Sequence, residues 1–176
     1  PRPDRLFTAP VHVKLDALAL DYAGQTLTRT AAGSYRLALK DEKGAPHCAL
    51  EFTPKKPAIR HGDDGLVRGV HGEDMFYYFI PRCEVTGQLT VKGVAAQVGG
   101  SGWYDHEFGC PPKPADAAAA PANLAEIAWD WVSAQLDDGS DLSVYTLVDT
   151  RTQASAGRWA ILSDATGRRY SFTEMT

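Results

Sequence analysis

Along most of this chain, apolar and polar residues alternate with a period of two. In the stretch VHVKLDALAL (residues 11–20), Val11, Val13, Leu15, Ala17 and Ala19 fall on one face. That period is the mark of a strand with one side on a core. SYRLALK and HCALEFT repeat it on either side of DEKGAP, where Gly and Pro occupy turn positions. CEVTGQLTV and VAAQVGGSGWYDHEF meet at Lys92-Gly93, the place for a tight turn. EIAWDWVSAQL and DLSVYTLVD are joined by DDGS, and RWAILS and RRYSFTEM by DATG. The pattern predicts roughly nine or ten strands at short intervals, hence an all-β antiparallel barrel or sandwich. MFYYFIP (residues 75–81) has no polar position to alternate with and reads as a strand buried on both sides, or as an aromatic wall for an apolar ligand.

Two stretches break the rhythm. CPPKPADAAAAPAN (residues 110–123) is rich in Pro and Ala and reads as a linker. It divides the chain into a first barrel over 1–109 and the start of a second over 124–176. Residues 53–75 carry Pro and His-Gly punctuation without a strand period. A loop of that length in a compact domain is often a lid over a cavity.

Composition narrows the function. The 176 residues are 44% hydrophobic and carry a net charge of −4, with no basic cluster. Nucleic-acid binding needs a basic face and is not expected. No apolar run approaches the ~20 residues of a membrane-spanning helix, although peripheral contact with a membrane stays open. Cys48, Cys83 and Cys110 lie far apart, with no paired spacing for zinc or a disulfide framework. Free thiols suit a reducing, cytoplasmic compartment, with the periplasm as the other option.

The polar chemistry concentrates in SGWYDHEFG (residues 101–109). On a strand, Tyr104, His106 and Phe108 share one face, and Trp103, Asp105 and Glu107 share the other. With the first face inward, an imidazole sits among aromatic rings, where its pKa can be tuned for proton transfer. With the second face inward, two carboxyls are buried together, and one becomes a general acid. In AWDWVSAQL, Asp130 is in line with apolar residues while Trp129 and Trp131 take the opposite face. An interior Asp130 must be paired or protonated. RHGDDG and VHGED bring His and acids together without diagnostic ligand spacing, so no metal is expected.

KPAIRHGDDGLVRG, YYFIPRCEVTGQLTVKG, GSGWYDHEFG and WDWVSAQLDDGSDLSVYTLVD, in that order, resemble the CrtC/AttH lipocalin-like family over residues 54–150. That family includes carotenoid hydratases, related hydratases and fungal lipocalin-like cyclases. The resemblance implies lipocalin-like β-barrels, parts of two linked ones in a chain of this length. It implies an apolar cavity for a polyene or terpenoid and a cofactor-independent reaction. In the hydratase branch an aspartic acid protonates a C=C bond and water traps the cation. Carried over by motif, Asp130 is the donor, with His106 its partner and Tyr104 beside it. Phe108, Trp103, Trp129, Trp131, Tyr77 and Tyr78 line the substrate site. The family often has Trp where this chain has Phe108, a weaker stabiliser of a cation. A cyclase, which orients rather than protonates, and a non-catalytic carrier of an apolar ligand are the competing expectations.

Overall fold

The computed structural model describes residues 11–14, 16–62, 64–68, 74–110 and 127–173. All regular structure among them is antiparallel β, in thirteen strands. No described helix is long and apolar enough to cross a membrane. The chain forms two compact units, Pro1–Lys55 with Cys83–Gly102, and Lys56–Arg82 with Trp103–Thr176.

The first unit is a meander. β1 (Val11–Val13), β2 (Ala19–Tyr22), β3 (Gln25–Arg29), β4 (Tyr35–Lys40) and β5 (Pro46–Pro54) follow one another in space as in sequence. β5 then pairs with the second part of β8 (Asp74–Val91), from Cys48 opposite Leu89 to Pro54 opposite Cys83. β9 (Val94–Cys110) pairs with β8 after a two-residue turn. Lys92 and Gly93 both have positive φ there, 52° and 80°, as a tight hairpin between right-twisted strands requires.

The second unit uses the first part of β8 and the second part of β9. β6 (Ile59–Arg60) sets Ile59 opposite Phe79, and β7 (Leu66–Arg68) sets Leu66 opposite Phe76. β10 (Ile127–Gln135), β11 (Asp141–Asp149), β12 (Ser155–Ser163) and β13 (Arg169–Phe172) form a four-stranded sheet in chain order. DDGS and DATG make the expected turns, with Gly139 and Gly167 at positive φ. Ile59, Phe79 and Ile161 form the buried apolar cluster, with Trp103 packed against it.

An ionic staple holds the turns of this unit. The Lys56 ammonium donates to Asp141 Oδ2 and to the Gly139 carbonyl, each at 2.6 Å, and to the Asp164 carbonyl at 2.8 Å. Arg82 covers the other carboxylate oxygen, with Nη2 2.9 Å from Asp141 Oδ1. The Asp141 side chain is fully buried, and that of Lys56 is 7% exposed. A carboxylate so deep is tolerable because both oxygens meet cations.

Two expectations change. MFYYFIP and CEVTGQLTV are one continuous strand running through Pro81. MFYYFIP is also not buried on both sides throughout. Tyr77, Phe79 and Ile80 are buried, but Phe76 is 43% exposed, because the period of two persists even where every residue is apolar. The linker expected over residues 110–123 lies outside the described residues except for Cys110, which ends β9.

Candidate functional site

Within the second unit, β8 and β9 give the site two faces. From β8 come Tyr77 and Phe79 on one side and Phe76 and Tyr78 on the other. β9 matches them with Trp103, Asp105 and Glu107 on the first side and Tyr104, His106 and Phe108 on the second. Ring contacts follow that parity: Phe79 stacks on Trp103 with centroids 4.9 Å apart, and Phe76 stacks on Phe108 at 5.4 Å.

On the carboxyl face, Glu107 lines a cavity of about 240 Å³. Its walls are Tyr77, Tyr145, Trp159, Leu66 and Val67, and its polar groups include His61 and Glu107. Gly157 makes room for the Trp159 ring, since a Cβ there would collide with the indole. The Tyr77 hydroxyl donates to Asp105 Oδ1 at 2.9 Å. Burial nevertheless raises the Asp105 carboxyl above its usual range. Glu107 is raised too, first by burial and then by the charge of Asp105. The Tyr145 phenol is pushed up to about 12 by burial and by Glu107. Burial and the Asp105 carboxylate together drive Tyr77 upward as well. By accessible surface both acids are exposed, so they exchange protons with solvent, and the shift toward the neutral form comes from the aromatic residues packed around them.

His61 enters this cavity from the end of β6. It is 5% exposed, and its ring lies flat on Tyr77 with centroids 4.0 Å apart. Burial, and then the positive charge of Arg169, lower its pKa to about 4. The imidazole is therefore neutral at pH 7.

The opposite face is an aromatic ladder with His106 in it. His106 Nδ1 and the Tyr78 hydroxyl are hydrogen-bonded at 2.9 Å. The ring touches Tyr78, Tyr104 and Phe108 at centroid distances of 5.2, 6.1 and 5.0 Å. Burial lowers the His106 pKa. The ladder ends are open: Phe108 is 51% exposed.

The residues singled out in the sequence therefore separate. Tyr77 and Trp103 belong to the cavity side, and Tyr78, Tyr104, His106 and Phe108 to the ladder. Trp131 meets Trp103 edge-on at 6.3 Å and donates through Nε1 to Ser143 Oγ at 3.3 Å. Trp129 is 64% exposed. Asp130 is exposed on β10, opposite Thr146, so the interior acid expected there is not found. No hydrogen bond joins His106 to Asp130 among the described residues; the partner of His106 is Tyr78. The physical reason is that neighbouring strands offer cross-strand partners at fixed parity, and Tyr78 is the one at hand. Sequence reasoning missed His61, Tyr145 and Trp159 as cavity residues. The alternation of DLSVYTLVD puts Tyr145 in line with buried Ser143 and Leu147, a usable signal; His61 in its loop offered none beyond the polar cluster RHGDDG.

Two solved structures share the fold. An AttH protein of Nitrosomonas europaea is 26% identical with a TM-score of 0.73, covering 88% of this chain and 45% of its own. Kievitone hydratase of Nectria haematococca is 16% identical with a TM-score of 0.65, covering 89% of this chain and 46% of its own. This chain thus spans less than half the length of either. No curated protein matches it. The all-β antiparallel fold is the lipocalin-like one of these neighbours. The AttH-like family model matches residues 5–176, and to that family the chain belongs.

Proposed function

We propose that this protein contributes the acid site of a cofactor-independent enzyme that adds water across a C=C bond of a hydrophobic polyene or terpenoid. The supporting observation is Glu107 on the wall of an aromatic-lined cavity, with Asp105 two residues away on the same strand and both carboxyls raised. The hydratase among the structural neighbours lends the reaction class.

The step balances without a cofactor. The protonated Glu107 carboxyl gives its proton to one alkene carbon, and the π electrons form the new C–H bond. The other carbon becomes a cation, held against the faces of Tyr145 and Trp159. Water adds through oxygen to the cation, and its spare proton returns to a carboxylate. Burial, and then the charge of Asp105, shift the Glu107 carboxyl toward its protonated form, and Tyr77 holds Asp105 in place. The cavity volume sets the scale. About 150 Å³ takes one benzene, and drug-sized ligands need about 300–1,000 Å³. A site of this size takes the reacting end of a long substrate rather than the whole molecule. That disfavours a cyclase, which must fold an entire polyene.

Turnover of isoprenoid alkenes in H₂¹⁸O, read by mass spectrometry, tests the reading. Glu107→Gln is expected to lose about a hundredfold or more of the rate, in the range of general-acid effects. Asp130→Asn is expected to keep it. The reverse result moves the donor to Asp130, and ligand binding without turnover by the native protein makes it a carrier.

A further inference from the structure

We infer that the cavity is a receptor for a quaternary ammonium group, held by the rings of Tyr145 and Trp159 and by the Glu107 carboxylate. The inference rests on the proposed site for its location and adds a class of ligand.

Tyr145 and Trp159 are cross-strand partners on β11 and β12. Their ring centroids are 5.9 Å apart and the planes are tilted by 41°, so the two rings make an angled corner in the cavity wall. The Gly157 backbone lies against the indole and seats it. Glu107 reaches the same cavity from β9, close enough for its charge to act on both the Tyr145 and the Tyr77 phenols. An aromatic face is electron-rich and attracts a cation, Trp most of all. A corner of rings with a carboxylate beside it combines two attractions for positive charge with apolar surface for the groups that carry it.

The walls carry no opposing charge. Among the described residues no Lys or Arg lines the cavity, and His61 is neutral at pH 7. Arg169, whose charge reaches His61, lines the neighbouring cavity, where Nη1 donates to the Arg60 carbonyl at 2.9 Å and Nε to Ser171 Oγ at 2.8 Å. The same walls sort the alternatives. An anion would meet Glu107 and find no counter-charge. A metal ion needs several converging ligands, and no group of three His, Cys, Asp or Glu among the described residues could hold one. A primary ammonium has three N–H donors to satisfy, and Leu66, Val67 and the rings offer apolar surface instead. A quaternary ammonium has no donors and meets those surfaces with methyl groups. It also reproduces the charge pattern of the proposed reaction just after proton transfer, a cation facing the Glu107 carboxylate among rings.

The test titrates choline chloride and its neutral isostere 3,3-dimethylbutan-1-ol, in which carbon replaces the charged nitrogen, into the purified protein at matched ionic strength. Binding is read from the indole ¹⁵N–¹H resonance of Trp159. Choline is expected to bind about tenfold more tightly than the alcohol, on the order of a cation–π contact partly removed from water. Glu107→Gln keeps the shape and is expected to cut the preference to about threefold, the share left to the rings. Equal affinities, no binding of choline, or a choline titration that leaves the Trp159 resonance in place would overturn the inference. So would a preference undiminished in Glu107→Gln, or one lost in Tyr145→Phe, which keeps the ring and removes only the hydroxyl. The two probes are compared on the native protein, so the test stands even where a variant does not fold. A choline preference with no alkene turnover leaves this inference intact and removes the hydratase reading. Turnover without the preference keeps that reading and removes the ammonium site.

Discussion

Tyr77 and Asp105 are joined by a 2.9 Å hydrogen bond between neighbouring strands, and that bond favours the charged form of a carboxyl that burial pushes toward the neutral one. Tyr77→Phe removes the donor, so the Asp105 midpoint should rise further. Glu107, relieved of part of a neighbouring negative charge, should fall. The two acids will titrate as a coupled pair, and ¹³C-carboxyl NMR will show both midpoints moving in opposite directions. The lost hydrogen bond should cost about 1 kcal/mol in urea denaturation. Midpoints that move together would contradict the coupling.

The Lys56–Asp141 staple makes the second prediction. Lys56→Met leaves a buried carboxylate with Arg82 alone, and breaking such a pair costs about 3–5 kcal/mol. Arg36 and Glu51 form an ion pair at 3.0 Å with side chains 65% and 35% exposed. Arg36→Met should cost under about 1 kcal/mol, because solvent already screens that pair. Chemical denaturation of the two variants reads the contrast directly, and equal losses would refute it.

His61 sets an acid limit on stability. Well above pH 6.5 its ring is neutral whether the chain is folded or not, and titration contributes nothing. Between 6.5 and about 4 the unfolded chain takes up a proton that the folded ring refuses, so stability falls as pH falls. The full effect is about 3 kcal/mol. Asp105 and Glu107 act with the opposite sign over the carboxylate range, since folding raises both. Comparing native protein with His61→Phe from pH 7 to 4 cancels their share. The stability gap should shift by about 3 kcal/mol in favour of the variant, and a constant gap would refute the neutral, buried ring.

Gly87 and Gly93 separate two costs of a side chain at positive φ. Gly87 has φ +148°, and a Cβ there would run into the Ala49 carbonyl across the strand pair. Gly93 has φ +80° with open space around it. Gly93→Ala should cost about 1 kcal/mol from backbone strain alone, and Gly87→Ala clearly more, because the strands must also part. Thermal melts of both variants settle the order.

Much of this molecule can be read from its residues. Alternation located the strands, and Asp-Gly, Ala-Thr-Gly and Lys-Gly located their turns, because those signals are local. The split of His106 from Asp105 and Glu107 was equally legible, since parity is a local property of a strand. Which face meets the cavity was not, as both faces of SGWYDHEFG carry aromatic residues. Asp130 misled because its neighbours Ala128, Val132 and Ala134 suggest a core face, yet Ala128 and Val132 are exposed with it. Lys56 and Asp141 lie 85 positions apart, and His61 meets Tyr77 only through strand pairing. Contacts of that range leave no periodic trace in a single sequence.

The two faces of β9 carry one further consequence, for how such a site changes over descent. Its chemistry is stored as odd and even. A one-residue deletion ahead of Trp103 that preserved the pairing with β8 would swap the faces, bringing the imidazole of His106 to the side that now carries Glu107 and moving both acids to the other. A single codon lost or gained there would exchange carboxyls for an imidazole on the same side of the strand, with no substitution at any of these residues.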